Sequence, residues 1–77
     1  MVRALKNKRN EKAIATLASN IRRYRQEQNL TIEQLANLVD VDYSQIGRME
    51  RGVVNPNISV IFDIADALGI KPSQLLE

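Results

Sequence analysis

The stretch from Thr31 to Gly52, T-I-E-Q-L-A-N-L-V-D-V-D-Y-S-Q-I-G-R-M-E-R-G, constrains this chain more than any other. Thr31 and Asp42 are residues that cap helix N-termini, and each is followed three positions on by a Gln, Gln34 and Gln45. That spacing is the one in which side chain and backbone satisfy each other's unpaired groups. An apolar residue precedes each cap (Leu30, Val41), with an apolar mate at the fourth helical position (Leu35, Ile46), the arrangement that fixes the angle at which a chain enters a helix. Gly52 ends the pattern where a left-handed residue is wanted. The reading is two short helices, about 32–39 and 43–51, joined by a tight turn. Asp40 stands in that turn where the backbone takes a positive φ, a region Asp tolerates better than most residues. Helices this short are not stable alone, so the flanking chain must hold them.

The flanks are helical too. Ile14, Leu17, Ile21 and Tyr24 recur at three- and four-residue intervals and predict a helix over about 11–28. Ala13, Ala15 and Ala18 favour helix and permit close approach by a neighbour. Val53-Val54-Asn55-Pro56-Asn57 reads as a connector, and Asn57 caps a helix over about 58–68. Its Ile58, Ile61, Phe62, Ile64, Ala65 and Leu68 form a wide apolar face, and Gly69 stops it. Pro72 then occupies the first position of a last short helix, whose Leu75-Leu76 fold back on the core. Five helices and no strand make an all-α domain over 11–77, preceded by a basic arm over 1–10.

Composition narrows the function. The 77 residues hold no Cys and no His, which removes thiolate and imidazole metal ligands and the commonest general base. The serines (Ser19, Ser44, Ser59, Ser73) have no base beside them in sequence, so enzymatic activity, a metal site and a cofactor are not expected. No apolar run is long enough to span a membrane, and the N-terminus is too polar for a signal peptide. A cytoplasmic protein is the expectation.

Charge is divided. Residues 1–30 carry Arg3, Lys6, Lys8, Arg9, Lys12, Arg22, Arg23 and Arg25 against Glu11 and Glu27, a balance of +6. Residues 31–77 carry Arg48, Arg51 and Lys71 against seven carboxylates, a balance of −4. A basic front half suits a polyanion. In the second helix of the pair, Tyr43, Ser44, Gly47, Arg48 and Arg51 fall within an arc of about 140° at 100° per residue. Ile46, Met49 and Glu50 point the other way. The arc offers donors, an aromatic edge and, at Gly47, a place for close approach. The inward Glu50 requires a cationic partner, because a lone buried carboxylate is costly.

Leu30-Thr31, Glu33-Gln34-Leu35-Ala36, Ile46, Met49-Glu50-Arg51-Gly52, Asn55-Pro56 and Ala67-Leu68-Gly69 together resemble the Cro/C1-type (xenobiotic-response-element-like) helix-turn-helix family. The likeness spans about residues 17–76. It implies a lambda-repressor-like fold of five helices, with the third helix in the DNA major groove. The implied partner is double-stranded DNA, bound by a homodimer on a pseudo-palindromic operator, with no small-molecule ligand. Tyr43, Ser44 and Arg48 match the family's base-contacting positions, and Gly47 shares their surface. Arg48 suits guanine, because its fork reaches two acceptors on one base edge. Phosphate contacts are implied for Thr31, Arg22, Gln45, Arg51 and Asn55, with Lys8 and Arg9 added by the arm. Arg25 and Glu50 match a pair that forms an internal salt bridge in several members.

Three positions depart from the family. Ile32 stands where many relatives have a phosphate-touching Gln, and Val53 and Val54 where Lys or Arg is common. Each loss thins the grip on phosphates. Val53, Val54, Val60 and Ala67 alternatively form an apolar patch that a second copy of the chain covers. The competing function is a protein-interaction module or antitoxin that keeps the fold and reads DNA weakly or not at all.

Overall fold

A computed structural model describes residues 9–77. Five helices follow one another: α1 (Glu11–Glu27), α2 (Ile32–Val39), α3 (Tyr43–Glu50), α4 (Ile58–Leu68) and α5 (Pro72–Leu76). No strand occurs among the described residues. Lys8 and the other arm cations, Arg3 and Lys6, lie outside them.

The largest fully buried side chains come one from each helix: Ile21, Leu35, Ile46, Ile64 and Leu75. Each contributes about 1.5–3 kcal/mol relative to exposure, and together they fix how the five short helices meet. α1 packs against α3, α4 and α5, and α2 packs against α3 and α4. The third helix is thereby held on two sides, with its outer face left free. Of the two candidates for the last inward position of α2, Val39 packs on the core while Leu38 stays exposed.

Four chain reversals use the same device. Asn29, Asp40, Gly52 and Gly69 all have φ between 59° and 71°. In each case the following N–H turns back onto a carbonyl of the last helical turn: Leu30 N to Arg25 O, Val41 N to Ala36 O, Val53 N to Arg48 O and Ile70 N to Ala65 O, all at 3.0–3.2 Å. Orphan carbonyls at the helix ends are satisfied this way. Gly52 also gives space: a Cβ there would stand 3.8 Å from the Cβ of Ala18, so the end of α3 lies close against α1.

The caps divide. At α2 the box is complete, with Gln34 N donating to Thr31 Oγ1 at 3.0 Å and Thr31 N donating to Gln34 Oε1 at 2.8 Å. Asn57 caps α4 through Val60 N at 2.9 Å. The second box does not form, because the Asp42 side chain makes no cap bond. Gln45 N–H, the donor it needs, is taken by Asp42's own carbonyl at 2.9 Å in a tight first turn.

Two amide side chains, one in α1 and one at its C-cap, fasten the distal helices, a role absent from the sequence reading. The buried Asn20 donates from Nδ2 to Leu75 O at 2.9 Å and to Glu77 O at 3.0 Å. Gln28 Nε2 donates to Leu68 O. Both amides satisfy carbonyls at helix C-termini.

The expected apolar patch is corrected. Val54, Val60 and Ala67 are half-buried and packed on the core, and only Val53 remains exposed, at 52%. The open apolar surface of α4 is Ile58 and Phe62, exposed at 61% and 49%. At 100° per residue these two sit on one shoulder of the helix's apolar stripe and Val60 and Ala67 on the other. The second shoulder packs on the protein's own core.

Candidate nucleic-acid interface

The face of α3 turned away from α1 and α2 carries Tyr43, Ser44 and Arg48, all exposed, with Tyr43 at 64%. The N–H groups of Tyr43 and Ser44, at the start of α3, have no partner among the described residues and open onto the same end. Helix N-termini with free N–H groups favour anions. Arg48 enters no ion pair among the described residues.

A groove of about 740 Å³ runs between α1 and the C-terminal end of α3. Ala15, Ala18 and Gly52 give it a floor of small residues, and Ser19, Arg22, Gln26 and Arg51 rim it. Its carboxylates are already matched: Glu50 with Arg25, Glu27 with Arg23 at 3.5 Å, and Glu11 with Arg9 at 3.0 Å. Among the described residues, Arg22 and Arg51 are left as the rim's unmatched guanidiniums. Ser19 and Gln26 were missed as candidates. The signal was present, since Ala15, Ser19, Arg22 and Gln26 recur at four, three and four residues along one face of α1.

On the other side of α3 lies a smaller cleft, about 260 Å³, lined by Gln45, Arg48, Asn55 and Asn57 above Val41, Met49, Val54 and Val60. The exposed face of α3 is thus flanked by polar clefts, one against α1 and one against the α3–α4 connector. Gln45 and Asn55 meet in the second, and Arg22 and Arg51 in the first.

Three residues depart from their expected setting. Gly47 lies on the outward arc but is buried, because the Arg51 side chain extends back over it. Thr31 is exposed, yet its N–H is occupied by Gln34 and its Oγ1 accepts from Gln34 N. What it keeps to offer is its hydroxyl proton, beside the free N–H groups of the first turn of α2. Arg9 is not a free arm cation. Its Nη2 and Nη1 donate to Gly52 O at 3.4 Å and Val53 O at 3.3 Å, and its Nε pairs with Glu11 at 3.0 Å. These carbonyls open the connector just past α3, so Arg9 is tied back onto the folded helices. Ile32 is half-buried and packed on the core, which explains an apolar residue at that position.

Behind the face, Arg25 and Glu50 form a two-pronged pair, Nε to Oε2 at 2.6 Å and Nη2 to Oε1 at 2.9 Å. Their side chains are 11% and 5% exposed. Hydrogen bonding to Glu50 holds the Arg25 guanidinium above its ordinary pKa, opposed in part by burial. The pair fixes α3 against α1 and so sets the pitch of the outward face.

A short capped helix, a left-handed turn and a second helix with an open polar face define a helix-turn-helix DNA-binding transcription regulator. The chain belongs to the helix-turn-helix (HTH_3) family, whose model matches residues 21–75. It is 38% identical over 60 residues to control protein C.SmaI of Serratia marcescens, covering 78% of this chain and 71% of that one. The fold is similar to the restriction-modification controller protein C.AhdI from Aeromonas hydrophila, with a TM-score of 0.78, 34% identity, and coverage of 80% of this chain and 94% of that one. It is also similar to the hypothetical transcription factor NHTF from Neisseria, with a TM-score of 0.83, 29% identity, and coverage of 100% and 90%. Regulators of this family act by binding rather than by catalysis. No helix among the described residues is long and apolar enough to cross a membrane.

Proposed function

We propose that this regulator is a controller-type protein of a restriction–modification system, acting in the cytoplasm as a homodimer on a pseudo-palindromic operator. The carrying observation is the exposed face of α3, with its unpaired Arg48, between two polar clefts. A helix about 10–12 Å across with its side chains fits a major groove about 12 Å wide, and phosphates then lie along both sides. Tyr43, Ser44 and Arg48 meet base edges. Arg22 and Arg51 hold phosphates on the α1 side, and Gln45 and Asn55 those on the connector side. The likeness to C.SmaI and C.AhdI, at 38% and 34% identity over most of each chain, supports the controller role.

The homodimer draws support from Ile58 and Phe62, one turn apart and open on α4. Adjacent apolar side chains at i and i+4 make a self-complementary strip for a two-fold contact. Selecting bound duplexes from a random DNA pool tests the reading. The expected product is two inverted half-sites with centres about 34 Å apart, bound with a steep loss of affinity as salt rises. Recovery of no preferred sequence at low salt would overturn it.

A further inference from the structure

A glycine in the middle of an eight-residue helix weakens it, so Gly47 needs a compensating use. DNA approaching the helix backbone directly is one such use. The structure places something else there. Helical side chains lean towards the N-terminus, so residue i+4 lies over residue i. Arg51 Nη1 stands 3.1 Å from the point a Cβ on Gly47 would occupy, and no other atom outside the adjoining backbone comes within 4 Å of that point. The guanidinium therefore rests on bare helix backbone and buries Gly47 beneath it. The same Arg51 rims the α1–α3 groove with Arg22, and among the described residues no carboxylate pairs with either.

We propose that Gly47 is a positioning residue: it leaves a seat for the Arg51 guanidinium, from which Arg51 and Arg22 clamp one DNA phosphate on the α1 side of the recognition helix. This rests on α3 being the DNA-reading helix. An arginine loses rotamer freedom when it fixes a phosphate, and a guanidinium already seated has lost much of that freedom before DNA arrives. An added Cβ meets only the flexible tip of Arg51. Gly47→Ala therefore folds and, by helix propensity, melts higher than the parent, while pushing the Arg51 guanidinium outward by a few tenths of an ångström and loosening its seat.

Four proteins decide the matter: the parent, Gly47→Ala, Arg51→Ala and the double variant, each titrated against the selected duplex over a range of salt. Gly47→Ala weakens binding by about threefold to tenfold, the order of immobilising one rotamer-rich side chain at an interface. Arg51→Ala weakens it further and lowers the slope of log affinity against log salt by about 0.9, one phosphate contact. In the Arg51→Ala background, adding Gly47→Ala changes affinity by less than about twofold, because the two changes remove one interaction. Equal losses with and without Arg51 would overturn the proposal and assign Gly47 to direct approach of DNA. Parent-like affinity of Gly47→Ala would also overturn it. If the parent itself binds no duplex, the DNA-reading assignment for α3 falls, an outcome visible in the parent titration alone.

Discussion

Arg25 and Glu50 meet through two hydrogen bonds, at 2.6 and 2.9 Å, while the remaining Nη1 of Arg25 donates to Leu30 O at 2.8 Å. One guanidinium thus ties α1, the α1–α2 turn and α3 together.

Removing one partner strands a buried charge, so Glu50→Ala lowers folding stability by about 3–5 kcal/mol. Replacing both partners, Arg25→Met with Glu50→Leu, costs far less, because no charge is left unpaired. Urea unfolding followed by circular dichroism reads both, and an unchanged midpoint for Glu50→Ala would refute a structural role. The pKa of Arg25 is raised by Glu50. Its contribution is therefore fully present below the guanidinium pKa of the unfolded chain and lost only as pH climbs beyond the folded value. The Glu50→Ala deficit should stay constant between about pH 7 and about pH 10.

Arg48 and Arg22 separate base reading from phosphate holding. Arg48→Ala should cost about 1–3 kcal/mol on the preferred operator and relax discrimination at one base pair. Arg22→Ala should weaken all duplexes alike and lower the salt slope by no more than about 0.9, since Arg22 shares its phosphate with Arg51. Binding isotherms on the operator and on single-mismatch variants check both. A uniform loss for Arg48→Ala would make it a phosphate contact instead.

The dimer surface is tested on α4. Phe62→Asp should leave the helical spectrum and melting temperature near the parent's, since Phe62 is exposed, and should turn the sedimenting species into a monomer. Val60→Asp should act oppositely, costing about 1–3 kcal/mol of stability by burying an unpaired polar group against the core. A Phe62→Asp protein that still sediments as a dimer would move the interface elsewhere.

The two caps of the helix pair should differ in effect. Thr31→Ala removes a formed box and should lower stability by about 1 kcal/mol. Asp42→Ala removes no side-chain bond and should change it by less than about 0.5 kcal/mol. Thermal melts of the two variants side by side suffice; equal losses would contradict the geometry.

Much of the fold is legible because its determinants are local. Apolar spacing sets helix faces, Asn57 caps through its own neighbours, and Asp40 takes its left-handed turn where the helix must stop. Asp42 shows the limit even there. Its side chain is the right type at the right spacing, but a tight first turn uses the donor it would have bonded.

The positions of the five helices, the residues turned outward from α3, and the inward Glu50 with its need for a cation are all readable from the residues alone. Those properties follow from helical period, capping chemistry and the cost of burying charge. What covers what emerges once the helices pack. The wide apolar face of α4 has two shoulders that no period distinguishes, and the chain around it covers Val60 and Ala67 while leaving Ile58 and Phe62 open. Arg9 reads as an arm cation until carbonyls just past α3, over forty residues away in sequence, are set beside it. Gly47 reads as exposed until Arg51 lies over it. Burial depends on neighbours in space, and long flexible side chains choose among them only once the backbone has folded.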